Sequence, residues 1–177
     1  MGACGEILQR KHQDMNVKYE TLYSRSSGKD EWLTPPPLIE ALGEFDLDPC
    51  APVKRPWEMA KNHFTFEDNG LEKEWFGRVF LNPPYGNYTK YWIEKAANHG
   101  NAIALIFNRS DTILFHDYIF PNAHAILYLK GRIKFHHING RQADSCSAPS
   151  VLVAFDDHNA DMLENCKLDG FFTRIKR

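Results

Sequence analysis

The sequence predicts a doubly wound α/β sheet that is mostly parallel and carries an antiparallel edge hairpin. Strand-like and helix-like segments alternate through the middle of the chain, as in a parallel sheet with crossover helices. Residues 102–107 form a continuous apolar run, as a strand buried on both faces requires. Asn139-Gly140 is a tight-turn signal between the last two strand-like segments. The 177 residues fit one domain with a sizeable core.

The first predicted elements are one helix followed directly by one strand. Thr34 is a residue type that N-caps helices, Pro35 suits the first helical position, and Gly43 ends the apolar helical pattern. Residues 45–48 then form a short strand, which Pro49 stops.

The remaining predicted elements extend from residue 49 to residue 155. Residues 49–77 are loop-rich, with one short strand-like stretch at 64–66. The later segments alternate in type: a strand at 79–81, a helix at 88–99, the strand at 102–107, a helix at 111–120, a strand at 123–129 and an antiparallel pair at 132–138 and 150–155. Because ligands bind at the carboxyl ends of parallel strands, Asp48 and Asn82 are expected on one rim of the sheet.

Composition excludes several classes of protein. The net charge of −2 gives no global field toward nucleic acid or anionic lipid, so any such contact needs a local patch. No apolar run approaches the ~20 residues of a spanning helix, and an apolar leader is absent, which predicts a cytoplasmic protein without a membrane partner. The four cysteines form no C-x-x-C pair and the eight histidines have no metal-ligand spacing, so no metal is expected.

The tetrapeptide Asn82-Pro83-Pro84-Tyr85 follows the strand-like run 79–81 and is the strongest functional signal. Its structural interpretation is a proline-rich turn that ends a strand. Its functional interpretation is a site for a planar amino group, because the Asn82 and Pro83 carbonyl oxygens can accept its N–H bonds. Pro84 fixes the turn, and Tyr85 can stack on an aromatic base.

An exocyclic aromatic amine is a poor nucleophile, because its lone pair is delocalised into the ring. Two acceptors on its N–H bonds favour pyramidal nitrogen and localise that pair. Asparagine is not a base at neutral pH, so the reaction needs an electrophile that a neutral amine can attack. A methylsulfonium is such an electrophile, which predicts S-adenosylmethionine as the cofactor. In duplex DNA the target base must be flipped out of the stack.

The chain resembles the phage-type DNA N6-adenine methyltransferases, the small Dam-like family. The segments that carry the resemblance are, in order, 32–36 (W-L-T-P-P), 45–51 (F-D-L-D-P-C-A), 66–71 with Trp75, 82–85 (N-P-P-Y), 108–112 (N-R-S-D-T) and 131–135 (G-R-I-K-F). The resemblance implies a reduced Rossmann-like methyltransferase sheet and an adenine-specific DNA methyltransferase. It also implies a phage origin and a role in shielding viral DNA from restriction.

The resemblance also implies which residues bind the cofactor. These are Trp32, Thr34, Pro35, Asp48, Cys50, Ala51 and Asp68. The alternative for Asp48 is a strand-end cap, and the alternative for Asp68 is a residue that forms the turn before Gly70. The glycine-rich loop that usually follows the first strand of a methyltransferase is missing, since Pro-Cys-Ala-Pro follows Asp48.

A cluster of basic residues is the predicted DNA contact. Lys130, Arg132, Lys134 and Arg141 lie within twelve residues without an acid, and Arg109 follows the buried strand. The alternatives are a charged edge strand that resists aggregation and, for Arg109, a surface ion pair with Asp111.

The sequence therefore predicts three segments: a polar mobile arm at 1–30, a methyltransferase domain at 31–160, and a C-terminal tail at 161–177 that packs on the domain or trails it. For the arm, plain disorder or a cloning remnant is the alternative. For the function, the alternatives are N4-cytosine or protein-glutamine methylation by the same motif, or a catalytically silent DNA-binding module.

Overall fold

A computed structural model describes residues 31–175, so the arm predicted at 1–30 lies outside the described residues. Residues 32–175 belong to one compact unit. Its helices are α1 (Pro36–Leu42), α2 (Thr89–His99) and α3 (Asp157–Asn165), with a π-helical segment at Leu114–Ile119. Its strands are β1 (Leu47–Asp48), β2 (Asn62–His63), β3 (Val79–Leu81), β4 (Ala102–Phe107), β5 (Ala125–Leu129), β6 (Ser150–Ala154) and β7 (Gly170–Arg174).

In the described part of the chain the strands form one seven-stranded mixed sheet of order β2-β1-β3-β4-β6-β5-β7. Strands β2, β1, β3 and β4 are mutually parallel, which confirms the parallel half of the prediction. From β1 the chain passes to β2 on one side and then to β3 on the other. The carboxyl ends of β1 and β3 therefore flank the point where the direction of winding changes, which is the usual ligand position in such sheets.

The predicted edge hairpin is wrong. Residues 132–138 form no strand and make only isolated bridges through His136, to Leu33 and to Gln142. Strand β6 instead lies inside the sheet, antiparallel to both β4 and β5. The Asn139-Gly140 turn does form, with Gly140 at a φ of 81°. The turn signal was correct, but the strand that follows it pairs with distant strands rather than with the preceding segment.

Two elements near the C-terminus were not predicted from the polar sequence after residue 155. The Asp156 carboxylate accepts from the backbone N–H of Asn159 at 2.7 Å and N-caps α3. Strand β7 pairs antiparallel with β5 and forms an edge of the sheet. Phe172 packs against the core, whereas Phe171 is 71% exposed. Within residues 161–175, the end of α3 and strand β7 are regular structure.

Both faces of the sheet are covered. On one face α1 and α3 pack against alternate residues of the central strands, including Phe80, Ile103 and Leu152. The intervening residues of β4 are fully buried as well, and α2 contacts both β4 and the π-helical segment. Because both faces are buried, the exposed parts of the central strands are their ends. No helix of the described residues is long and apolar enough to cross a membrane.

Arg78 joins three of these elements at the amino end of β3. Its guanidinium donates to the Asn159 carboxamide oxygen at 2.7 Å and to the carbonyls of Leu42 and Glu44 at 2.9 Å each. It also lies 4.2 Å from the centre of the Phe45 ring. Arg78 thereby satisfies the last carbonyl of α1, which has no partner within the helix.

Candidate active site

The ends of β1 and β3 are connected directly. Asp48 is the last residue of β1, and Asn82 follows β3. The Cys50 thiol donates to the backbone carbonyl of Asn82 at 3.1 Å, and the Cys50 backbone N–H donates to the Asp48 carboxylate at 3.1 Å. The residues predicted on one rim are thus brought together, with Cys50 between them.

The carboxamide of Asn82 has a defined orientation. Its nitrogen donates to the Trp32 carbonyl at 3.3 Å and to the Thr34 hydroxyl oxygen at 3.4 Å. A carbonyl can only accept, so the carboxamide nitrogen must face Trp32. The carboxamide oxygen faces the other way and accepts from the Tyr85 hydroxyl at 3.4 Å. Asn82 therefore presents an acceptor toward Tyr85.

Thr34 does not cap the helix as the sequence predicted. The N-cap of α1 is Pro35, without a side-chain capping bond, and the helix begins at Pro36. Thr34 is fully buried, and its hydroxyl oxygen accepts from Asn82. The capping pattern was present, but a tertiary contact uses the hydroxyl instead.

Tyr85 lies flat on Phe107. The ring centres are 4.0 Å apart with an interplanar angle of 10°. Desolvation raises the pKa of the Tyr85 hydroxyl above its ordinary value, although 37% of the residue is exposed, so the hydroxyl stays a donor at neutral pH. The turn before it is held because the Thr89 hydroxyl donates to the Pro84 carbonyl at 2.8 Å. The motif therefore forms a rigid connection into α2.

Asp48 is a buried carboxyl group, 3% exposed. Burial raises the pKa of Asp48 to about 7, and the Cys50 backbone N–H opposes the shift only in part. The group is thus poised to ionise near neutrality and would be stabilised as a carboxylate by a cation placed beside it.

Replacing Asp48 by asparagine is expected to stabilise the ligand-free protein in a pH-dependent way. The folded-state pKa of Asp48 lies above its unfolded value of 3.8, so the folded state binds the proton more tightly and loses stability as pH rises from about 4 to 7. Asp48→Asn removes this loss and is expected to add roughly 2–4 kcal/mol at pH 8 but almost nothing at pH 4. Urea unfolding at both pH values measures the change in the free energy of unfolding. An equal gain at pH 4 and pH 8 would contradict the conclusion that burial raises the pKa of Asp48.

The loop after β1 is backed by a glycine from another segment. A Cβ on Gly70 would collide with the Pro49 carbonyl oxygen, so only glycine permits this approach. Asp68 lies in the same segment, and its exposed carboxylate accepts from the backbone N–H and hydroxyl of Thr65 at 2.8 and 3.1 Å. These bonds lower the pKa of Asp68 and give it a turn-forming contact.

The basic segment meets the same rim of the sheet. Strands β3, β4 and β5 run in the same direction, so residues after β4 and β5 lie at the edge that carries Asn82. Leu33 and His136 exchange backbone hydrogen bonds of 2.8 and 2.9 Å. These bonds connect residues 32–34, which accept hydrogen bonds from the Asn82 carboxamide, to residues 130–141. The five basic side chains predicted to bind DNA are all exposed: Arg109, Lys130, Arg132, Lys134 and Arg141. Of these, Arg132 donates to the Ser147 carbonyl at 3.1 Å.

Two contacts at this rim were missed from the sequence. Phe107 was recognised only as the end of an apolar strand, and the thiol bond from Cys50 to Asn82 has no sequence signal. An aromatic residue at the carboxyl end of the strand next to β3 was the available clue to Phe107. Within residues 31–175 no group of three or more metal-ligating side chains occurs.

Comparisons of the chain with known proteins identify its family. No curated protein and no solved structure matches it significantly. A family model described as DNA N-6-adenine-methyltransferase (Dam) matches residues 23–167, most of the chain and the whole of the rim described above. The chain therefore belongs to the Dam family of DNA N-6-adenine methyltransferases.

Proposed function

We propose that the protein transfers a methyl group from S-adenosylmethionine to the N6 amino group of a flipped-out adenine in DNA. The observation that carries the proposal is the fixed carboxamide of Asn82, whose oxygen faces Tyr85. Asn82 lies at the carboxyl end of β3, next to the point where the direction of winding changes. Family membership supports the DNA adenine substrate. We further propose that the target base is flipped out, that the sheet is a reduced Rossmann-like methyltransferase sheet, and that the protein serves a phage in resisting restriction.

In this mechanism the chain activates the amine and does not deprotonate it. The Asn82 carboxamide oxygen and the Pro83 backbone carbonyl accept the two N6–H bonds, which localises the nitrogen lone pair. Tyr85 stacks on the base and supplies part of the roughly 1–3 kcal/mol that aromatic stacking contributes per base. After transfer the extra proton leaves to solvent, because neither carbonyl is basic enough to keep it.

The residues of the rim fit a cationic cofactor. Asp48 is a buried carboxyl whose pKa burial raises even though the charge of Arg55 opposes the shift, and the ammonium of S-adenosylmethionine is a further charge that would favour its ionised form. When bound, S-adenosylmethionine supplies an electrophilic methyl group on sulfur. Trp32, Pro35, Ala51 and Asp68 remain proposed cofactor contacts on the family resemblance. Thr34 and Cys50 are proposed to act partly through Asn82, since both already bond to it.

Incubating the protein with tritiated S-adenosylmethionine and DNA of varied sequence tests the proposed function. Label should enter DNA, and mass analysis of the digested nucleosides should find N6-methyl-2′-deoxyadenosine. Label in N4-methylcytosine or in protein glutamine would overturn the adenine assignment. Cofactor binding without transfer to any DNA would favour the silent binding module, and thermal stabilisation by the cofactor separates that outcome from an unfolded sample.

Removing a basic side chain from the rim should weaken DNA binding without changing the chemistry. Lys134→Ala is expected to raise the KM for DNA and to reduce the slope of log affinity against log salt by about 1, as for one lost phosphate contact. Lys61→Ala is the matched control, because Lys61 precedes β2 and so lies at the opposite edge of the sheet. An unchanged salt slope in Lys134→Ala would refute the contact.

A further inference from the structure

The ring of Tyr85 is oriented by its contact with Phe107. Tyr85 is followed by Gly86 at a φ of 128°, a backbone conformation that favours glycine. Its hydroxyl makes one long hydrogen bond of 3.4 Å to Asn82. The 4.0 Å stack on Phe107 is therefore the contact that defines the plane of the ring.

Phe107, in contrast, is firmly placed. It ends β4, which lies between β3 and β6 in the middle of the sheet, and it pairs in register with Ser150. Its ring packs against the core on the sheet face that carries α1. Ser150, its partner on the neighbouring strand β6, is 2% exposed, so this side of the end of β4 is closed to solvent. The Phe107 ring can therefore act as a rigid aromatic surface on which Tyr85 stacks.

We propose that Phe107 is a positioning residue that sets the plane of Tyr85 and leaves only the outer face of Tyr85 for the target base. The proposal rests on the proposed function. Because Phe107 covers the inner face of Tyr85, a base that stacks on the outer face forms the third ring of one stack. The position of the base relative to the Asn82 carboxamide oxygen is then fixed. Phe107 thus contributes to the reaction without touching the substrate.

The test is a double-mutant cycle that combines Phe107→Leu with Tyr85→Ala. Phe107→Leu alone is expected to lower kcat/KM for DNA by about 3- to 10-fold, the range of one aromatic pair. The dissociation constant of S-adenosylmethionine should not change. In the Tyr85→Ala background the same substitution should cost nothing further, because the ring that Phe107 positions is already gone.

Two further variants separate positioning from simple packing. Phe107→Tyr keeps the flat ring and should retain kcat/KM within about twofold of the wild type, whereas Phe171→Leu changes an exposed phenylalanine on β7 and should have no effect. An equal loss from Phe107→Leu in both backgrounds, or a loss that parallels weaker cofactor binding, would overturn the proposal. Failure of the wild-type protein to methylate DNA would instead overturn the proposed function, so the two failures are distinguishable.

Discussion

Asn82→Ala is expected to abolish methyl transfer, lowering kcat by at least about 10²–10³-fold, the range for removing one preorganised polar group from a reaction centre. The carboxamide oxygen is held toward Tyr85 by two bonds from its nitrogen, and alanine has no atom that can take its place. The loss should fall on kcat, because the acceptor acts on the nitrogen during its attack.

The measurement needs evidence that the cofactor site survives the substitution. Calorimetric titration with S-adenosylmethionine should give a dissociation constant close to the wild-type value, even though the Trp32 carbonyl and Thr34 hydroxyl lose a partner. Asn87→Ala is the matched control, since Asn87 is an exposed asparagine five residues further on and outside the motif. Undiminished turnover in Asn82→Ala would contradict the role of this residue, whatever the cofactor affinity.

Arg78→Met is expected to produce the largest loss of stability, roughly 3–5 kcal/mol. The substitution leaves the Asn159 carboxamide oxygen and the carbonyls of Leu42 and Glu44 without their donor, and each unsatisfied buried acceptor costs about 1–3 kcal/mol. Methionine fills a similar volume, so the loss reports on the polar contacts more than on a cavity.

Urea unfolding followed by circular dichroism measures the effect. Arg141→Met is the control, because Arg141 is exposed and should tolerate the change within about 0.5 kcal/mol. Arg78→Lys should fall between the two, since one ammonium cannot reach all three acceptors. Equal stability of Arg78→Met and the wild type would show that the guanidinium is not the connection between α1, β3 and α3.

Local patterns predicted the parts of the fold that local physics determines. The runs 79–81 and 102–107 were recognised with their observed bounds, because continuous apolar residues between turn signals have few other uses. The placement of Asp48 and Asn82 on one rim followed from strand direction alone. The bound of α2 differed from the prediction by one residue at its start.

The errors came from tertiary pairing. The turn signal Asn139-Gly140 favours a hairpin between neighbouring segments of residues 132–155. Strand β6 is instead entirely buried and pairs with the apolar strands β4 and β5. Helix α3 was missed because its sequence is polar, although Asp156 three residues before Asn159 is a capping signal. The strand near residue 64 was placed late: it is β2 at Asn62–His63. The exposure of the five basic residues proposed to bind DNA could be predicted from their charge. Their position at the rim could not, because it depends on the order of the strands in the sheet.

The position of β6 has a consequence for how the protein is made. Strands β4 and β5 do not touch each other as neighbours, because β6 separates them, and β6 comes after both in the chain. During synthesis Phe107 has no strand beside it on that side until Ser150 has left the ribosome. The first hundred or so residues can form the parallel half early, but the complete rim of the sheet forms late in folding, because the long-range insertion of β6 closes it.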